Sequence, residues 1–186
     1  GGWRYEFSYD GHHKDTSVTG FCMQALKACK HTGIDFPGLK KTIKNGLNYL
    51  SDSQIANGQL GYQGKLSPRD TMTGAGLLCM QQWGKGNSRE ARKALEHLDE
   101  NVKFTYTTGN IYGHYYYGQA FMEAGPKYWK KYNEMFRDEL LSGQNPDGSY
   151  KAGGKTTGGH LLHYRTCMAT LALEVYYRFL PGTGTK

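Results

Sequence analysis

The chain has 186 residues, 23 of them basic and 16 acidic, so its net charge of +7 permits an acidic partner without deciding the fold. Its 26 glycines are roughly twice the usual share but show no period of three, which excludes collagen, and no apolar run approaches the ~20 residues of a membrane helix. The four cysteines contain no C-x-x-C pair, which leaves a zinc ribbon or a redox motif without support.

Opening at Gly1-Gly2-Trp3 without a methionine, the chain reads as processed or excised. His12 and His13 fall in a polar loop and read as solvated. The first predicted element is a helix that is apolar on most sides, carrying Phe21, Cys22, Met23, Ala25, Leu26, Ala28 and Cys29. Asp15-Thr16 precedes it, where an acid suits a helix N-terminus. An amphipathic helix over about 36–53 follows, with Leu39, Ile43, Leu47 and Leu50 on one face and Lys40, Lys41 and Lys44 off it. After a polar, Gly-rich joint over 52–70, Asp70-Thr71 opens a second all-round apolar helix with Leu77, Leu78, Cys79, Met80 and Trp83. A second amphipathic helix covers about 88–103, with Ser88 as its N-cap and Ala91, Leu95, Leu98 and Val102 inward.

The joint 104–110 leads to a third apolar helix with Tyr115, Tyr116, Tyr117, Ala120, Phe121 and Met122. Pro126 begins a third amphipathic helix to about 142, carrying Trp129, Tyr132, Phe136 and Leu140. The joint 142–160 contains Pro146-Asp147-Gly148, a turn in which proline sets one φ and glycine supplies a positive one. A last apolar helix carries Leu161, Leu162, Cys167, Met168, Ala169, Leu171, Ala172, Leu173 and Val175. Helices apolar on every face are expected to be buried on every face. The expected fold is therefore all-α, one domain over 1–186, with about seven helices alternating inner and outer. Cys22-Met23, Cys79-Met80 and Cys167-Met168 look like one repeated position on the inner helices, which makes these cysteines packing residues rather than ligands.

Gln144-Asn145-Pro146-Asp147-Gly148-Ser149-Tyr150 resembles the Gln-x(2–5)-Gly-x-Trp signature of the α/α toroid family of squalene–hopene cyclases and protein prenyltransferase β-subunits, with Tyr for Trp. Gln54-Ile55-Ala56-Asn57-Gly58 matches its first half, with Gly61-Tyr62 following, and Gly2-Trp3-Arg4-Tyr5 resembles the tail of another copy. Asp15-Thr16-Ser17-Val18-Thr19-Gly20 is similar to the inner-helix start of bacterial squalene-cyclase-like repeat proteins. A full ring of that kind has about twelve helices, so the resemblance implies a partial toroid belonging to a longer protein. Its known chemistries do not carry over. The cyclases' Asp-x-Asp-Asp acid is absent, as is the Gly-Cys-Gly-Glu-Gln thioester of complement-like members. At the prenyltransferases' zinc positions stand Asp15-Thr16-Ser17 and Arg165-Thr166-Cys167, in which Ser and Arg replace the Cys and His ligands. No metal or cofactor is expected.

Polar residues at the starts of the apolar helices are the candidate site. Asp15, Asp70, His114 and Tyr164 are the catalytic candidates, and Tyr117, His160, His163 and Arg165 the candidates for binding substrate. Arg165 enters an apolar helix, so it must either pair with an acid on a neighbouring helix or clamp an anion. The expected function is a non-catalytic module binding a small molecule, polysaccharide or protein partner. The alternatives are a divergent terpenoid cyclase using Asp15 or Asp70, and a polysaccharide lyase with a His114 or Tyr164 base beside Arg165. The lysines of the amphipathic helices carry charge but no recognised nucleic-acid motif. Cellular location and oligomeric state are left open.

Overall fold

The structure is a computed structural model, and it describes residues 1–6, 14–154 and 161–178. The expected periodicities are realised as α1 (Thr16–His31), α2 (Leu39–Asp52), α3 (Asp70–Gln82), α4 (Arg89–Asn101), α5 (Ile111–Glu123), α6 (Pro126–Ser142) and α7 (Leu162–Leu173), with a short α8 (Val175–Arg178). The joint 52–70 also holds an antiparallel hairpin absent from the sequence reading, β1 (Gly61–Gln63) and β2 (Leu66–Pro68). Its register leaves Gly64-Lys65 as a two-residue turn, with Gly64 at φ 58°. The class is all-α. The chain divides into two compact units, 1–100 and 101–186.

In the first unit α1 packs on α3 and α2. Gly46 of α2 permits that approach, because a Cβ there would lie 2.4 Å from Met23 Sδ. Met23, Leu50, Leu60, Leu77, Leu78 and Leu98 are fully buried and form the core. Amphipathic α4 contributes Ala91, Ala94 and Leu98 to it, and the Ser88 side chain accepts from Ala91 N–H as an N-cap should.

In the second unit α5 packs on α7 and α6, with α8 against both α5 and α7. Pro126 is the first residue of α6. The buried rings of Phe104, Phe121, Tyr132 and Phe136 pack as tilted and stacked pairs 4.9–5.1 Å apart, the offset geometries that aromatic quadrupoles favour.

Burial of the four apolar helices differs from the expectation. Every residue of α3 from Thr71 to Met80 is buried, and α5 comes close to that. On α1, however, Phe21, Ala25 and Ala28 are exposed, and on α7 so are Leu162, Cys167 and Leu171, as is its N-cap Leu161. Apolar composition supplies the face but not the neighbour that covers it. The cysteines follow suit: Cys79 is buried, Cys22 and Cys29 are half-buried, and Cys167 is exposed.

Candidate functional site

The joints are built alike. Gln54 and Gln144 follow α2 and α6, and each Nε2 donates to the carbonyl of the glycine ahead, Gly58 at 3.0 Å and Gly148 at 3.1 Å. Both glycines sit at positive φ, 96° and 87°. Antiparallel bridges then join Gln54 to Leu60 and Gln144 to Tyr150. Leu60, not Tyr62, therefore holds the position that Tyr150 holds in the other joint. The N–H of each donates to a threonine hydroxyl at the start of the next apolar helix, Leu60 to Thr73 (3.0 Å) and Tyr150 to Thr166 (2.9 Å). Trp3 donates in the same way to Thr19 at 2.9 Å.

Aligning the three helices on Thr19, Thr73 and Thr166 moves the Cys-Met pairs out of phase. Cys22 lies three residues beyond its threonine, Cys79 six and Cys167 one. The repeated pair is not one structural position, which is why the three cysteines differ in depth. Asp15 and Asp70 separate too: Asp15 is the N-cap of α1, whereas Arg69 is the N-cap of α3 and Asp70 its first residue.

Asp15 is buried, and its Oδ1 accepts from Ser17 N–H (2.7 Å), Val18 N–H (3.1 Å) and the Ser17 hydroxyl (2.5 Å). The Tyr62 hydroxyl also bonds to Asp15, which pushes that phenol up to about 12. Arg69 lies over the Tyr62 ring, 4.8 Å from its centroid. Asp15→Ala is expected to destabilise the first unit by about 1–2 kcal/mol through the lost cap, whereas Asp15→Asn keeps the cap at little cost. In both variants Tyr62 should titrate nearer the ordinary tyrosine value. Urea denaturation and ultraviolet titration of the phenol check the two halves, and an unchanged Tyr62 titration would refute the pairing.

Asp70 belongs to a separate cluster. Its Oδ1 accepts from Gln59 Nε2 at 2.7 Å and lies 2.8 Å from His97 Nε2, tying α3 to the joint and to α4. In the second unit, His114 Nδ1 lies 3.1 Å from the Tyr132 hydroxyl, and its ring stacks on Phe136 with centroids 5.1 Å apart. Tyr117 meets the same ring edge-on at 5.1 Å. Burial, and secondarily the positive charge of Arg165, pushes His114 down to about 3, so it is neutral at physiological pH. His114 and Tyr117 are both buried, at 2% and 4% exposure.

Among the described residues, Arg165 does not pair with an acid on a neighbouring helix, and its side chain is 0% exposed. Instead Nη1 donates to Gly109 O (3.2 Å), Nη2 donates to Tyr106 O, and the guanidinium carbon lies 4.5 Å from the Tyr106 ring centroid. His163 is exposed, Tyr164 is half-buried and engaged, and His160 lies outside the described residues.

The candidates thus fall into two clusters in the first unit, around Asp15 and around Asp70, and one aromatic and cationic group in the second. Ser17, Tyr62, Gln59, His97 and Tyr106 were missed by the sequence reading. The signal for Gln59 lay in the Gln-to-Gly joint; for Tyr62 and His97, contact across separate elements left none. Among the described residues no three of His, Cys, Asp and Glu converge as metal ligands, and no helix is long and apolar enough to cross a membrane. No family model matches the chain, and no curated protein matches it.

Proposed function

We propose that the chain is a ligand- or partner-binding module of the squalene-cyclase and prenyltransferase repeat type, a partial α/α toroid acting within a larger bacterial protein. One contrast carries this reading. Asp15 and Asp70 at the helix starts are engaged in capping a helix and holding a joint, while apolar side chains on α1 and α7 stand open, with Phe21 52% and Leu162 49% exposed. Buried joint residues stabilise the unit, whereas exposed apolar side chains are what a partner surface uses.

The folded chain is expected to form no product from farnesyl diphosphate, squalene or a uronate polymer. It should bind anilinonaphthalene sulfonate, and the double variant Phe21→Asp/Leu171→Asp should lose at least half of that fluorescence. Both substitutions are on the surface, so the unfolding midpoint should move by no more than about 0.5 kcal/mol per site. Turnover of squalene or the diphosphate would favour the cyclase alternative, and new ultraviolet absorbance from the uronate polymer the lyase alternative. Unchanged dye binding in the double variant would remove the binding-face reading.

A further inference from the structure

Arg165 carries a charge that the described protein leaves largely uncompensated. Moving a guanidinium out of water costs several kcal/mol, and such groups are ordinarily paired with an acid when fully buried. Two carbonyl dipoles and an aromatic face offset part of that cost. The Nε–H, however, is buried with no hydrogen-bond partner. A second orphan belongs to the same joint: the Tyr150 hydroxyl is buried and unpaired, and its ring lies 6.4 Å from that of Tyr106. The cover over the guanidinium is equally specific. Gly154, at φ 87°, donates its N–H to Thr107 O (3.1 Å), and a Cβ there would lie 2.5 Å from both Arg165 Nη1 and Gly109 O. A glycine thus covers the Nη1 side of the guanidinium, where any side chain would collide with Gly109 O.

We propose that this joint of the second unit is an oxyanion-receiving site, in which a carboxylate or phosphate group takes the Nε edge of Arg165 as the Gly153–Gly154 segment lifts from Thr107. The planar fork of a guanidinium presents Nε–H and a neighbouring Nη–H side by side, the geometry that two oxygens of one oxyanion match. This inference rests on the binding-module reading and gives the class of its small ligand. Its failure is distinguishable from failure of that reading, because the dye test above reads α1 and α7 surface residues.

The test titrates the full chain with sodium acetate and with inorganic phosphate, against sodium chloride at matched ionic strength. One or both oxyanions should raise the thermal midpoint saturably and shift the Arg165 Nε–H resonance with the same midpoint concentration, and the arm that does so distinguishes a carboxylate from a phosphate source. Arg165→Lys keeps the charge but lacks the fork, so binding should weaken at least about tenfold. Equal effects of chloride and both oxyanions, an unmoved Nε–H resonance, or unweakened binding in Arg165→Lys would each overturn the proposal. The resonance is read in the unsubstituted chain, so the result stands even if the variant does not fold.

Discussion

Gly58→Ala should destabilise the first unit by about 2–5 kcal/mol, whereas the corresponding change in the second unit, Gly148→Ala, should cost only about 1–2 kcal/mol. Both glycines hold the same place in their joints and the same left-handed backbone. An alanine in that conformation brings its Cβ against the following carbonyl, which accounts for the shared part of the cost. The difference lies in the surroundings. At Gly58 the Cβ would come within 2.4 Å of the Lys93 carbonyl oxygen, which α4 holds rigidly, while at Gly148 it would meet nothing within 4 Å. Gln54 draws the joint onto that helix through a second bond, from Nε2 to Glu90 O at 2.8 Å. Urea midpoints of the two variants check the ranking, and equal losses would show that the approach to α4 is looser than described.

Acid should unfold the second unit well before its carboxylates alone would require it, and His114 is the reason. In the unfolded chain this histidine takes up a proton near its ordinary value of 6.5, whereas in the folded chain it refuses one until about pH 3. Between those limits the unfolded state binds more protons, so stability falls as pH falls. The contribution is fully present above about 6.5, diminishes by at most about 1.4 kcal/mol per pH unit, and amounts to a loss on the order of 4 kcal/mol by pH 3. His114→Phe should be less stable at neutral pH, because it removes the Nδ1 contact with Tyr132, yet its stability should depend less on pH between 3 and 6.5. Denaturant midpoints across that range decide the matter. Parallel slopes for the two proteins would mean that the ring protonates without leaving its stack.

The helices were legible because their patterns are local. Leu39, Ile43, Leu47 and Leu50, or Ala91, Leu95 and Leu98, mark a helix without reference to anything distant, although only Leu50, Ala91 and Leu98 of these are fully buried, and Ser88 and Pro126 mark ends. The Gln-to-Gly turns were legible for the same reason. What the sequence concealed was whatever depends on a neighbour. Phe21 and Leu171 look as apolar as Leu77, but α3 is surrounded where α1 and α7 are not. The two-letter likeness of the Cys-Met pairs misled, because depth in a helix bundle is set by register to the joint, and that register is written in the threonines. Among the candidate residues, Asp15 and Asp70 were placed at helix starts correctly, while their partners Tyr62 and His97 approach from separate elements. Arg165 could not be read at all from its own helix, since its acceptors are carbonyls of residues 106 and 109, which no side-chain letter encodes.

The threonine contact in the joints has a consequence for which side chains such a joint can carry. Trp3 and Tyr150 are aromatic and Leu60 is aliphatic, yet each makes the same bond, because the donor is the main-chain N–H that every residue except proline has. A position tied down by its backbone tolerates exchange of the letter above it, provided the local pocket repacks. The same joint can therefore be built beneath an aromatic or an aliphatic side chain, so its geometry is carried by the backbone and not by the letter at that position.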